Sequence, residues 1–501
     1  MSAGSALVTG PGWVDHSTSP IQGLFPLAVE QFLNAAVAVN APGVTTVTNT
    51  ARYYALHALV ADECERRHLD QAQTRELLRR TEVVYALLCM SHQQHEGHHP
   101  WYPAPHGRDR LAAALSSGTV ELAAAAGTGQ GKYANAASGF LGPYFGSEVT
   151  LGLLGTGPLT PGPAYDRTVV HGELGPVVEL ASSAVHLGLD DVAHLGSMCL
   201  CQAATSTDGA LLATRFAGRP NETGTVAASI GQVMRLFATA MRTSEIRTQA
   251  DLGAFVMFDP TVAQHPLSSD VWLRWRGLRT RMASVAAWRE LFAHLCRYLN
   301  AGPLTVGELG GRLADEMPSG TVGAFVDSLP DVVDAAGAPL PAELEVADRL
   351  SAPVRHLATL ALGARRFQEL ADTDGPLRLG FTGPPGHRFQ SEELSPQWVS
   401  NVLADWRSRP VRELATWLAS VMVNRAHRVT MSKSYWNRDG RFVMPLRIWL
   451  QDDLVVKLHG EATGEPSLRW AQLLSMGRQT GIFAVAETGV WEVGPRGHLL
   501  D

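Results

Sequence analysis

Apolar residues return at helical spacing over most of this 501-residue chain, while runs that alternate as strands do are few and short. That pattern selects a mainly α fold, a multi-domain helical protein with small winged-helix-like β elements. Residues 51–68 place Tyr54, Ala58 and Ala61 on one stripe with Arg52 and Glu63 elsewhere, and Thr48 or Thr50 is expected to cap the start. Residues 71–95 predict a second helix, with Asp70 as its N-cap and Leu77, Leu78, Val84, Tyr85 and Leu88 as its apolar face. Further helices are expected near 110–126, 174–188, 190–203, 226–243, 271–299, 345–372 and 395–430.

Strands are expected in one hairpin over 441–450 and 453–458. The tail, a helix over 467–480 followed by Gly489-Val490-Trp491-Glu492-Val493-Gly494, has the cadence of a helix and its wing. Weaker echoes of the same cadence stand at 139–164 and 304–313. Gly, Pro and Asp mark loops at 95–108, 205–225, 331–341 and 372–392, the last reading as a linker. Three domains are expected, 1–165 with a base pocket, 166–335 central, and 336–501 contacting DNA.

Composition narrows the classes. Apolar residues make up 45% and charged residues 18%, as in globular chains rather than disordered ones. A formal net charge of −7 means that any contact with nucleic acid must use a local basic patch. Five cysteines, at 64, 89, 199, 201 and 296, read as buried free thiols of a reducing compartment. With no signal-like N-terminus and no long apolar run, a soluble cytoplasmic protein without membrane contact is expected.

The chemistry-bearing residues gather in the first hundred positions. Gly12-Trp13-Val14-Asp15-His16 precedes the turn Pro42-Gly43-Val44, which leads through Thr48 to Arg52-Tyr53-Tyr54 and His57. Arg79 and Glu82 stand at the i,i+3 spacing of a structural ion pair, with a pocket-facing role for Glu82 as the alternative. His92, His95, His98 and His99 would admit a metal, as in a metal-dependent nuclease, but the run lacks HExxH and reads as a solvated histidine-rich loop. The segment 127–132 ends in Lys132 and fails the phosphate-loop pattern, leaving a loop in which Lys132 can meet a phosphate. Near the C-terminus, Arg425, Arg428, Lys433, Arg438, Arg441, Arg447 and Lys457 interleave with Tyr435 and Trp436, a composition suited either to DNA backbone contact with wedge insertion or to a solvated, salt-bridged helix end.

The turn at Pro42-Gly43-Val44, with Thr45 in place of a second glycine, resembles the helix-hairpin-helix of DNA glycosylases. Asp15-His16, with the distant histidine loop 264–268, is similar in pattern to uracil-type glycosylases. Together with the long helical chain, the first hundred residues resemble the phage-defence DNA glycosylases that remove glucosylated hydroxymethylcytosine. The resemblance implies double-stranded phage DNA with modified bases as partner, an abasic product and no metal or organic cofactor. It implies Asp15 or, second, Glu82 at the deoxyribose. Trp13, Tyr53 and Tyr54 would face the extruded base, and His16, Arg52 and His57 its sugar. A non-catalytic DNA-binding or scaffold protein of a bacterial defence system is the rival expectation.

Overall fold

Helix Arg52–Arg66 and helix Gln71–Glu96 form where the apolar spacing predicts them in the computed structural model. The structure describes residues 18–96, 102–129, 132–134, 136–157, 159–218, 226–370, 373–384, 386, 392–461 and 463–501. Among these the chain is mainly helical, with twenty helices and sheets of only two or three strands. None of the described helices is long and apolar enough to cross a membrane.

The strands of the described residues are β1 (Thr18–Gln22), β2 (Thr119–Glu121), β3 (His186–Gly188), β4 (Leu304–Thr305), β5 (Tyr435–Trp436), β6 (Phe442–Leu446), β7 (Ile448–Gln451), β8 (Leu454–Lys457), β9 (Phe483–Val485) and β10 (Trp491–Val493). The residues fall into two compact units interleaved along the chain. Among the described residues, one spans 18–36, 256–266 and 273–466, and the other 37–255, 267–272 and 467–501.

In the first unit β6 lies between β1, parallel to it, and β5, antiparallel. A second sheet runs β4-β8-β7, and its β7–β8 hairpin realises part of the expected pair of strands. Helix Val306–Asp315 packs along helix Val411–Lys433. Leu329, Val332, Val346, Ala358 and Leu362 form a small core of their own, with Phe325 and Leu403 packed against it.

In the second unit, helices Arg52–Arg66, Gln71–Glu96 and Arg167–Ser183 pack on one another, with β2 paired to β3. Helix Trp470–Gln479 leads into the β9–β10 hairpin, the helix-then-wing cadence read in the tail.

Several expectations change. Neither Thr48 nor Thr50 caps helix Arg52–Arg66, because the hydroxyl of Thr48 accepts from the Thr45 N–H at 2.7 Å and closes a turn instead. Asp70 does cap its helix, accepting from Ala72 and Gln73 N–H at 2.8 and 2.9 Å. The helix expected over 110–126 is broken by β2, whose Thr119 and Val120 favour extended backbone. The loop expected over 205–225 contains helix Thr207–Ala217, begun by a Ser206 side chain that accepts from Gly209. The linker 372–392 contains helix Pro376–Thr382, whose Gly380 lies close against the backbone of Arg274.

Candidate functional site

Trp13, Asp15 and His16 lie outside the described residues. The other N-terminal candidates are in the interior of the second unit. Arg52, Tyr53, Tyr54, His57 and Glu82 are all fully buried, so their side chains face the interior.

Each is held by a specific partner. Arg52 grips Asp208 bidentately, both contacts at 2.8 Å, and its remaining nitrogen donates to the carbonyls of Cys199 at 2.7 Å and Ser197 at 3.2 Å. Tyr54 donates to the Gly43 carbonyl at 3.0 Å. The hydroxyl of Tyr53 accepts from the His106 N–H at 3.1 Å, and its ring meets Tyr85 edge-on at 5.5 Å.

His57 sits between two carboxyls. Its Nδ1 is 2.6 Å from Glu148 and its Nε2 is 3.1 Å from Glu82. Burial by itself would lower the His57 pKa, but Glu148 and Glu82 outweigh it and raise it to about 10, so the ring is an imidazolium at neutral pH. Burial pushes both carboxyls up, against the pull of His57. Glu82 also accepts the Phe140 N–H on both oxygens, at 3.0 and 3.1 Å. Gly139 makes this possible: its φ is +56°, and a Cβ there would lie 2.2 Å from a Glu82 oxygen. Burial, with the nearby His57 charge second, lowers the neighbouring His106 to about 4. That ring is therefore neutral and lies 3.2 Å from the Tyr144 hydroxyl. His57, Glu82 and Glu148 tie three helices together, and their side chains have no exposed surface.

The expected Arg79–Glu82 pair does not form. Arg79 instead donates to the carbonyls of Ala126 and Ala137, both at 2.6 Å, because Glu82 points inward to His57.

The basic segment of the first unit divides in two. Arg425 is buried, donating to the Leu27 carbonyl at 2.6 Å and paired with Glu392 and Glu393 at 2.9 and 3.2 Å. Arg428 also pairs with Glu393, at 2.5 Å, and Lys433 donates to the carbonyls of Leu24 and Phe25 at 2.9 and 3.0 Å. Part of the expected basic face is thus spent on internal contacts, since Glu392 and Glu393 pack against it. Arg447 likewise pairs with Glu461 in the interior.

The β5–β6 hairpin is different. Tyr435 and Trp436 are 53% and 64% exposed, and Arg438 and Arg441 in the turn between the strands are exposed too. The turn is set by Asn437, whose Oδ1 accepts from the N–H groups of Asp439 and Arg441 at 3.0 and 2.9 Å. Lys132 is exposed on a separate loop of the second unit.

A cavity of about 550 Å³ opens in the first unit, lined mainly by apolar groups such as Met257, Leu273, Leu377 and Phe381. Arg276 and Arg366 reach its wall but donate to the Val256 carbonyl and to Glu343 respectively.

Sequence reasoning missed Glu148, Asp208, His106 and Tyr144. Glu148 carried a signal, as the lone carboxylate within the otherwise apolar stretch 140–154. Compared with known protein families, curated proteins and solved structures, the chain has no match.

Proposed function

We propose that this chain binds DNA through the hairpin formed by β5 and β6. The observation that carries the reading is the exposed Tyr435–Trp436 pair beside the exposed Arg438 and Arg441. Uncovered aromatic faces suit base stacking or insertion, and guanidinium groups next to them suit phosphate. A chain with net charge −7 needs such a local contact, because its overall field repels a polyanion.

The sharper reading is a glycosylase that removes glucosylated hydroxymethylcytosine from phage DNA, with Asp15 at the deoxyribose. It is supported by the resemblance of the first hundred residues and by the wedge chemistry of Trp436, which suits the unstacking that base extrusion requires. Glu82 is not retained as its acid, because the side chain is sealed against His57.

One experiment separates these readings. The protein is titrated with plain and glucosylated duplexes across a salt series, and released base is measured by mass spectrometry. Salt-sensitive binding that is lost in Trp436→Ala supports the DNA-binding reading, and no binding at low salt sinks it. Base release that disappears in Asp15→Asn supports the glycosylase; binding without release leaves a non-catalytic DNA-binding protein.

A further inference from the structure

Helix Gln71–Glu96 packs on the 3-10 segment Asp190–Met198, which Cys199 follows directly, with Cys201 in the next 3-10 turn, Leu200–Gln202. There the side chains of His92, Cys199 and Cys201 bring one imidazole nitrogen and two sulfurs within 4.8 Å of one another. His92 and Cys199 are buried and Cys201 is half-buried. Three ligand-type side chains therefore meet, His92 from the helix and a Cys-x-Cys from the other element.

The surroundings are those of a metal-binding imidazole. Gln202 Nε2 is 3.3 Å from His92 Nε2 and 3.7 Å from Cys201 Sγ, so that ring nitrogen faces the thiols. The opposite nitrogen, Nδ1, lies 3.9 Å from the largely exposed Glu96 carboxylate, beyond hydrogen-bond reach. Gly196 lets the ring approach, since a Cβ there would stand 3.0 Å from Nδ1. The cysteine segment is anchored in turn by Arg52, through its bonds to the Cys199 and Ser197 carbonyls. Ligands in a tetrahedral site with two or more sulfurs stand roughly 3.5–3.8 Å apart, so closing the present spread takes about an ångström of side-chain rotation.

We propose that His92, Cys199 and Cys201 hold a zinc ion that fastens helix Gln71–Glu96 to the segment around Cys199. Thiolate and imidazole are a donor set that zinc takes. The histidine run and the cysteine pair, separate in sequence, are thereby two halves of one site.

The test uses the full chain, purified under reductant without chelator. Elemental analysis is expected to find about one zinc per chain, and cobalt substitution to produce thiolate-to-cobalt charge-transfer absorption. Cys201→Ser, at the partly exposed edge of the site, is expected to weaken zinc by roughly tenfold or more in competition with a chromophoric chelator. His95→Ala is expected to keep it, because that ring is bonded to the Ser91 carbonyl at 2.8 Å. A wild-type chain that holds no zinc and takes up no cobalt overturns the proposal, whatever the variants do. Zinc affinity unchanged in Cys201→Ser also overturns it.

Discussion

His57 and Glu148, 91 positions apart, meet at 2.6 Å with no exposed surface on either side chain. Glu82 completes the contact from the other side of the ring, so one imidazolium serves two buried carboxyls. Removing the cation leaves those carboxyls facing each other. His57→Gln is expected to lower the stability of the second unit by about 3–5 kcal/mol, read as a reduced denaturant midpoint. An unchanged midpoint means that the ring is not charged in the folded chain.

The same ring sets a pH dependence. Its folded-state pKa of about 10 lies above the ordinary 6.5, so its stabilisation is complete below pH 6.5. It is then lost progressively as the pH rises through about 10. The carboxyls of Glu82 and Glu148 are also raised, so their titration likewise favours the folded state at lower pH. Thermal midpoints are expected to fall between pH 6.5 and 10, and to fall less steeply in His57→Gln. Equal slopes in the two proteins count against this assignment.

Arg52 and Asp208 form the other buried ion pair of that unit. Asp208→Asn leaves the buried guanidinium with only the more distant Glu173 carboxylate at 3.8 Å, and a loss of about 3 kcal/mol is expected by chemical denaturation. A double-mutant cycle with Arg52→Met separates the coupling from loss of packing. If the two single changes add, the pair is not coupled.

Gly139 stands in the left-handed region with Glu82 pressed against it. Gly139→Ala adds about 1–2 kcal/mol of backbone strain, and more from the displaced carboxylate. The measurable signs are a lower melting temperature and a weaker pH dependence between 6.5 and 10, because the Glu82–His57 contact loosens. A melting temperature equal to that of the wild type refutes the close approach.

On the hairpin, Arg441→Gln is expected to reduce the salt slope of DNA binding by about one, with little effect on stability because the side chain is exposed. Arg425→Gln is expected to do the reverse, destabilising the first unit while the slope stays unchanged, because its guanidinium is bound to Glu392, Glu393 and the Leu27 carbonyl. Equal slopes for Arg441→Gln and wild type place the DNA contact elsewhere.

Local rules made much of the helical framework legible. The Asp70 cap, the apolar stripe of helix Gln71–Glu96 and the bounds of helix Val226–Thr243 depend on residues within a few positions of each other. Breaks were legible only in part. The expected helix over 395–430 divides into Pro396–Asp405 and Val411–Lys433 on either side of Pro410, a residue that cannot donate its backbone nitrogen.

By itself, then, the sequence determined a mainly helical chain, its acidic balance and the residue types available for chemistry. Only the tertiary structure decided which of those residues meet. It turned Arg52, Tyr53, Tyr54 and His57 into the core, because Asp208, Glu148 and Glu82 arrive there from distant helices to satisfy them. It left Tyr435 and Trp436 uncovered and joined His92 to two cysteines more than a hundred positions away. Helical periodicity records which face of a segment is buried, but it carries no information about the partner that buries it.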